Sequence, residues 1–420
     1  MRIKKIFLLI FLSYFFAGCS EKKTPYEYPV IDVVGSVEKY QRVYCSELFS
    51  SIDLIPLETE ENCLLDAYPF PRVLLKDSFI FYKGSGGNFV FSTSGKFLGK
   101  IGKSGQGPDE FIASLGLFLN TEKPTAYIED HRKILEYDFY GNFIRSVKKP
   151  VVEDVEVTYC SYVVDGLFIG QIYYDGKRSN KYSLFDQNGD VVKNFPSQVF
   201  FDRAGNSVAS DDAALTSIQV EKKLYLKDYF NDTLYILENL NLQPAYVFGL
   251  GAYTYPKENL ERRNKDAPFP LNAFTFSPGL GIVGTPEFFF YKIRVPDFFS
   301  KPKAKPIYNL FLNEFRPDDS SVYGIYNITK KNNILLDTDK HLQKGIINDI
   351  NGGLPLIPRY YAGNGIVVDV WYPEDMKEML TDEYFASQTI KDQQAHQKLK
   401  EILKNLKDDD NPIVVVARLK

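Results

Sequence analysis

The chain has 420 residues, of which 44% are hydrophobic, and it carries a formal net charge of −4. The hydrophobic content is enough for a large core. The negative net charge argues against nucleic acid as a partner, because neutralising phosphates requires a basic surface. Tyr and Phe are abundant, at 29 and 33 residues, whereas Met occurs only 3 times. Aromatic side chains favour strands over helices, so the composition predicts an all-β fold.

The first 18 residues are typical of a lipoprotein signal peptide. A short basic region precedes an apolar run over 6–16, and two small residues stand directly before Cys19. Because the run is too short to span a bilayer, we predict cleavage before Cys19 and lipidation of its thiol. An uncleaved anchor with an incidental cysteine is the alternative. Residues 19–30 are polar and broken by proline, as expected of a tether.

A pattern of short strands repeats from about residue 79 onward. Each unit has three β-rich runs, and a tight turn joins the last two. The turns of the first three units contain Gly95, Gly141 and Gly189, at separations of 46 and 48 residues. Gly adopts the positive φ that a two-residue hairpin needs. The runs lie at 79–82, 88–91 and 96–101; 125–128, 133–137 and 142–147; 166–169, 182–185 and 190–192; and 223–226, 233–237 and 244–248.

A period of about 40–50 residues with several strands per unit is typical of a β-propeller. A looser fifth unit follows a long connection over 253–284, and a sixth begins near 364–370. The competing architecture is a β-sandwich or a pair of small barrels, which rarely repeat at this period. The strands expected in the fifth unit are 287–293, 307–311, 321–326 and 333–336.

The C-terminal region predicts a helical insertion and then a closing strand. Pro373 with two following acidic residues is a favourable helix start, and leucines recur at helical spacing before an acidic stop. The insertion therefore covers about 373–407, and an apolar strand follows at 413–419. We expect this strand to pair with an N-terminal strand near 51–57, because joining both chain ends in one blade keeps the ring closed.

Three segments carry a resemblance to a known family. Residues 55–58 (Ile-Pro-Leu-Glu) resemble its opening strand, 97–111 resemble its strand with a glycine-rich turn, and 399–420 resemble its closing segment. On these residues the chain resembles the six-bladed β-propeller lipoproteins of Gram-negative anaerobes, which are related to NHL-repeat propellers. The resemblance implies six four-stranded antiparallel blades in a single domain over 31–420, and export. It implies no reaction, since most members have no established activity.

Several residues are candidates for ligand contact. Asp130 and His131 are adjacent in a loop expected at one face of the propeller, although a single loop histidine is usually only solvated. Aromatic clusters near residues 360 and 371 have side chains that stack on a sugar or a peptide, and packing within the blades is the alternative. The candidates are therefore His131, Asp130, Arg359, Tyr360, Tyr361 and Trp371.

No metal or cofactor is predicted. A three-histidine zinc site would need His131, His341 and His396 together, and His396 falls in the helical insertion. Calcium in the central channel stays open as an alternative, because scattered carboxylates can bind it without a sequence motif. The acidic residues beside the expected inner strands are Glu129, Asp130, Asp228 and Asp369.

Three cysteines remain besides Cys19, namely Cys45, Cys63 and Cys160. An odd number permits at most one intramolecular disulfide. No pair has the spacing of a redox or zinc motif. We expect all three to be small buried apolar residues, with a single disulfide as the alternative.

These features predict a lipid-anchored binding or scaffold protein at the cell envelope. It would contact the membrane through its lipid, on the periplasmic or cell-surface side of the outer membrane. The expected ligand is a glycan, a peptide or a protein, as in nutrient capture. The alternative is a metal-dependent hydrolase or lyase with its site in the central channel, which rests on analogy with other six-bladed propellers.

Overall fold

The computed structural model describes residues 27–37, 39–65, 72–84, 86–173, 176–198, 200, 216–228, 231–254, 274–276, 281–294, 306–309, 314–317, 321–337 and 344–420. The predicted signal peptide, Cys19 and His341 lie outside these ranges. Across the described part of the chain, no helix is both long and apolar enough to cross a membrane.

The described chain begins with an extended segment, residues 30–37 and 39–48, which we call the strap. The strap contains β1 (Val30–Ile31), a 3₁₀ turn (Val34–Ser36) and α1 (Cys45–Leu48), and β2 (Phe49–Pro56) follows it. The strap and β2 belong to sheets whose other strands come much later in the sequence. The N-terminal region therefore joins distant parts of the fold.

Four sheets follow in chain order and form four blades of a β-propeller, each with its first strand near the ring axis except blade 3, in which the second strand takes that place. Blade 1 contains β3 (Arg72–Lys76), β4 (Phe79–Gly84), β5 (Gly87–Ser92) and β6 (Phe97–Lys100). Blade 2 contains β7 (Gly116–Leu119), β8 (Thr125–Glu129), β9 (Lys133–Asp138) and β10 (Phe143–Lys148). Blade 3 contains β11 (Val151–Val152), β12 (Val155–Tyr162), β13 (Phe168–Ile172), β14 (Asn180–Phe185) and β15 (Val191–Pro196). Blade 4 contains β16 (Thr216–Val220), β17 (Lys223–Lys227), β18 (Thr233–Glu238) and β19 (Asn241–Phe248).

Blade 5 differs from the prediction in two respects. The described part of the predicted strand at 307–311 does not join the blade, because β23 (Pro306–Asn309) pairs locally with β24 (Glu314–Pro317) in a separate hairpin between β22 (Phe288–Arg294) and β25 (Ser321–Asn327). The predicted connection over 253–284 includes the inner strands β20 (Thr275–Phe276) and β21 (Ile282–Gly284). A 3₁₀ turn (Gly251–Tyr253) precedes this blade. Its elements are β20 (Thr275–Phe276), β21 (Ile282–Gly284), β22 (Phe288–Arg294), β23 (Pro306–Asn309), β24 (Glu314–Pro317), β25 (Ser321–Asn327) and β26 (Asn332–Leu335).

Blade 6 closes the ring with strands from both ends of the chain, as predicted. The C-terminal strand β29 (Ile413–Leu419) lies between β28 (Ile366–Trp371) and the N-terminal strand β2, which is outermost. Three helices stand between β28 and β29. The elements are β27 (Tyr360–Gly363), β28 (Ile366–Trp371), α2 (Pro373–Met379), α3 (Asp382–Ala386), α4 (Gln393–Asn405) and β29 (Ile413–Leu419). The six-bladed all-β propeller with helices near its C-terminus is confirmed.

Six hydrophobic clusters lie between consecutive blades, one at each junction of the ring. Successive side chains of a strand point to opposite faces, so a strand with both faces buried contributes to two clusters. In β3, Val73 and Leu75 join the cluster shared with blade 6, whereas Leu74 joins the cluster shared with blade 2. Because both faces are buried, the strands read as continuous apolar runs rather than as alternating ones.

The glycines of the predicted hairpin turns serve a second purpose at the blade junctions. Each one faces the last carbonyl of the outermost strand in the preceding blade, so closely that an added Cβ would clash. The Cβ-to-oxygen distances would be 2.0 Å for Gly95 and Pro56, 2.9 Å for Gly141 and Lys100, and 2.3 Å for Gly189 and Lys148. The positive φ of these glycines and their lack of a Cβ are therefore both required.

The strap runs along the outer edges of three blades. At blade 4, β1 pairs in parallel with Val247 and Phe248 of β19. At blade 5, Gln41 N–H donates to the Leu335 carbonyl at 2.9 Å. Beside blade 6, Cys45 N–H donates to the Ile347 carbonyl at 2.7 Å. These contacts bind the region before β2 to half of the ring.

A buried ion pair joins blades 2 and 3. Lys149 Nζ lies 3.0 Å from Glu129 Oε1, and both side chains are at most 3% exposed. Glu129 Oε2 also accepts a hydrogen bond from the Cys160 N–H at 2.9 Å. A carboxylate and an ammonium without water need such partners, so the pair holds the two blades in register.

All three described cysteines are buried with free thiols. Burial raises the pKa of Cys45 and of Cys160 well above the ordinary thiol value, and nearby carboxylates raise it further. These thiols are therefore kept in the unreactive protonated form. The three cysteines are therefore buried and unpaired, as expected from the sequence.

The turn glycines generate a stability prediction with a matched control. Gly189 and Gly363 have almost the same φ, +85° and +86°, but a Cβ at Gly363 would meet nothing within 4 Å. We expect Gly363→Ala to cost about 1–2 kcal/mol from the backbone conformation alone. Gly189→Ala should cost at least about 1 kcal/mol more because of the clash with the Lys148 carbonyl. Urea unfolding measures the free energy of unfolding of both variants. Equal losses would contradict the conclusion that Gly189 is needed for the close contact with the Lys148 carbonyl.

The buried ion pair generates a second prediction. Lys149→Met leaves the Glu129 carboxylate buried without its cation, so the free energy of unfolding should fall by about 3–5 kcal/mol. Adding Glu129→Gln to that variant removes the uncompensated charge and should restore part of the loss. A double-mutant cycle by urea unfolding measures the coupling. If the two losses simply add, the pair does not hold the junction.

Candidate functional site

One end of the ring collects charged side chains from several blades. The inner strands begin at this end, so Arg72 of β3 and Tyr360 of β27 lie there together. Glu129 ends β8 at the same level, and Lys83 stands opposite Arg72 in the β3–β4 register. With Arg359, these five residues define what we call the channel mouth.

Arg72 is the most exposed charged residue of the channel mouth. Its side chain is solvent-accessible, and within the described part of the chain it makes no hydrogen bond or ion pair. The surrounding protein nevertheless lowers the pKa of its guanidinium by desolvation, and Tyr360 and Glu129 oppose that effect. This combination is typical of a side chain that lines a narrow opening.

Lys83 and Tyr360 shape the electrostatics around Arg72. Burial lowers the pKa of Lys83, and the positive charge of Arg72 lowers it further. Burial raises the pKa of Tyr360 to about 12, so its hydroxyl stays protonated at neutral pH. The half-buried Tyr360 ring packs between the clusters that blade 1 shares with blades 6 and 2. A protonated hydroxyl therefore stands near the Arg72 guanidinium.

Arg359 is held by Asp369. Its Nε donates to Asp369 Oδ1 at 2.8 Å, and Asp369 also accepts from the N–H groups of Ile357 and Val370. Burial raises the pKa of the Asp369 carboxyl, while Arg359 and the two N–H groups lower it. Arg359 thus fixes the approach to β27 and keeps 24% of its side chain exposed at the channel mouth.

The other aromatic candidates lie elsewhere. The Tyr361 hydroxyl donates to Glu221 Oε1 at 2.6 Å, in the β16–β17 turn at the opposite end of the ring. Trp371 is only 3% exposed and packs in the cluster between blades 5 and 6. Of the three aromatic candidates, the structure therefore places Tyr360 alone at the channel mouth, and Trp371 follows the packing alternative.

Asp130 and His131 do not form a hydrogen-bonded pair of side chains. Asp130 is buried and accepts the N–H groups of Ile112 and Ala113 at 3.2 and 3.0 Å. Burial alone would raise its pKa, but hydrogen bonds from Ala113, His131 and Ile112 outweigh burial and lower it. The carboxylate holds a loop, whereas the His131 side chain is exposed in the β8–β9 turn.

The carboxylates considered for calcium are each engaged by protein groups. Glu129 pairs with Lys149, Asp228 lies 3.2 Å from Lys181 Nζ, and Asp369 pairs with Arg359. Among the described residues, no group of three or more His, Cys, Asp or Glu side chains is arranged to hold a metal ion.

His396 is similarly engaged, inside the helical region. It is buried in α4, with Nδ1 2.8 Å from the Asn351 carbonyl oxygen and its ring against Phe385. It is therefore remote from the exposed His131. The described chain offers no support for the zinc arrangement considered above.

Sequence reasoning missed Arg72 and Lys83. A signal for Arg72 exists in the run Arg-Val-Leu-Leu-Lys at 72–76, where basic residues flank an apolar triplet. Such a run is short enough to be an inner strand whose charged ends reach the two faces of the ring. No comparable signal marks Lys83, because its position follows only from the pairing of β4 with β3.

Comparisons with known proteins agree with this architecture. A crystal structure of a protein described as exported, from Bacteroides fragilis, is 17% identical, with a TM-score of 0.64 over 93% of this chain and 99% of that one. A member of the DUF4221 family from Bacteroides vulgatus is 10% identical, with a TM-score of 0.50 over 89% and 97%. At these identities the likeness concerns the fold alone.

No curated protein sequence matches the chain significantly. The family whose sequence pattern it fits is a domain of unknown function, DUF4934, and the match extends over residues 28–418. That span contains all six blades and the helices of blade 6. The chain therefore belongs to the DUF4934 family.

Proposed function

We propose that the protein is an exported, lipid-anchored binding protein of the cell envelope. Its ligand is a glycan or a peptide with an anionic group, which Arg72 contacts at the channel mouth. The anchoring part of this proposal rests on the N-terminal sequence, with its short apolar run and Cys19. The description of the Bacteroides fragilis protein as exported supports the same location.

The proposed binding site rests on one observation, the exposed Arg72 guanidinium that has no hydrogen bond or ion pair in the described chain. Other charged groups near it, such as Glu129 and Arg359, already have partners of opposite charge in the protein. Arg72 makes no hydrogen bond or ion pair in the described chain and feels Glu129 only at longer range, while desolvation lowers the pKa of its guanidinium. A ligand carboxylate or sulfate would satisfy this guanidinium with paired hydrogen bonds, and the Tyr360 hydroxyl stands within reach of the same region.

The site supports binding rather than catalysis. Asp130 and His131 are not joined as an acid–base pair, and the four carboxylates considered for a channel metal are held by cations or by backbone N–H groups. In propellers, loops from every blade converge at the ends of the ring, which suits recognition of an extended ligand. A glycan or peptide lying across the channel mouth would contact several blades at once.

This proposal predicts the effect of one substitution. A screen of neutral, sulfated and carboxylated glycans and of peptides should select anionic ligands, with binding that weakens as salt is added. Arg72→Ala should reduce the affinity for the selected ligand by about tenfold or more, because hydrogen bonds to a charged group contribute about 1.5–3 kcal/mol. Titration calorimetry measures the change.

Arg42→Ala is the matched control, because Arg42 is an exposed arginine of the strap, away from the channel mouth. The Arg42→Ala variant should bind the selected ligand with the same affinity as the unaltered protein. Thermal melting of both variants checks that the fold is intact. Selection of neutral ligands only, or equal weakening by the two substitutions, would refute the assignment of Arg72.

A further inference from the structure

A groove separates the outermost strand of blade 6 from the last helix. One wall is β2 and the other is α4, and the groove, which is open to solvent along one side, has a volume of ≈ 580 Å³. Six residues of β2, at about 3.3 Å each, span nearly the same length as the thirteen residues of α4 at about 1.5 Å each. The five β2 residues that line the groove lie within Ser51–Pro56, so a strand paired along this wall would extend over five or six residues.

The strand wall of the groove has an unpaired edge. β2 forms its ladder with β29 on one side, and no described strand pairs with its other side. Outward-facing N–H and C=O groups along such an edge can accept another strand. The chain already does this at blade 4, where β1 adds to the outer edge of β19. An added strand at a blade edge is therefore compatible with this fold.

The lining of the groove indicates what kind of strand would fit. Leu54 and Pro56 on β2 face Ile402 and Leu406 of the helical side, so the interior offers apolar contacts. The charged residues around it are mostly acidic, with a single ammonium among them. They are Asp53, Asp392, Glu401, Asp410 and Lys398.

These acidic groups are only weakly compensated by the protein. Asp53 lies 3.8 Å from Arg418 Nε, and both side chains are more than half exposed, so their attraction is small. Asp392 and Asp410 accept backbone N–H groups, which leaves their negative charge in place. The groove is therefore apolar inside and negative at its border.

We propose that this groove binds an extended, basic segment of a partner protein, which adds to β2 as a fifth strand of blade 6. Main-chain hydrogen bonds to the β2 edge supply the alignment, and alternate apolar side chains enter the groove beside Leu54 and Ile402. Lysine or arginine side chains of the segment meet the carboxylates at the border. This surface is distinct from the channel mouth, so the inference stands independently of the proposed ligand there.

The test uses residues 20–420, which include every described residue, and a labelled peptide of alternating lysine and valine. A peptide with glutamate in place of lysine is the charge control. Fluorescence polarisation should show binding of the basic peptide about tenfold or more tighter than of the acidic one, with a strong dependence on salt. Two further peptides carry N-methyl groups on alternate residues, one on the odd and one on the even positions. One of them should lose binding and the other should keep it, because an added strand donates hydrogen bonds to the edge through every second residue.

Charge-reversal variants locate the site. Asp53→Lys with Glu401→Lys should weaken the basic peptide by about tenfold or more, since both groups border the groove. Glu238→Lys with Glu383→Lys changes the net charge equally at exposed sites outside it and should leave binding unaltered. Equal effects of the two pairs, or insensitivity to both methylated peptides, would overturn the proposal. Self-association blocked by the groove pair, with no peptide binding, would overturn it in favour of a second copy as occupant.

Discussion

The close approach of three hairpin turns, those of blades 1 to 3, to the preceding blade is the contact on which this part of the ring depends. A carbonyl at the end of one outermost strand occupies the space that a Cβ would need in the next blade, at Gly95, Gly141 and Gly189. The repetition of this contact fixes the spacing of neighbouring blades near the outside of the ring. Gly95 makes it with Pro56 of β2, so the same contact also seats the N-terminal strand that completes blade 6.

Close stacking explains why polar groups are distributed as they are. With both faces of most strands buried, charged residues within the ring must find partners, as Glu129 and Lys149 do between blades 2 and 3. The ends of the inner strands are the places where a charge can stay open to solvent. Arg72 occupies such a place at the start of β3, so its guanidinium stays exposed at the channel mouth.

The sequence predicted the middle and outer strands well, because their aromatic runs and turn glycines repeat at a regular period. The inner strands were missed, since segments such as 72–76 and 116–119 are short and lack an alternating pattern. The strand at 307–311 was misplaced because an apolar run does not reveal whether its partner is local or distant. Site residues were harder still. Contacts such as that of Tyr361 with Glu221 join positions 140 residues apart, and burial of Trp371 depends on how blades 5 and 6 pack.

The route of the strap has a mechanical consequence. The chain ahead of Val30 enters the ring at the outer edge of blade 4, through the short parallel pairing of β1 with β19. A tensile load applied from that side meets this pairing first, then the bonds at Gln41 and Cys45, and only afterwards β2. The contacts of the strap must therefore break one after another before a force from the N-terminal side reaches the pairing of β2 with β29 that closes the ring.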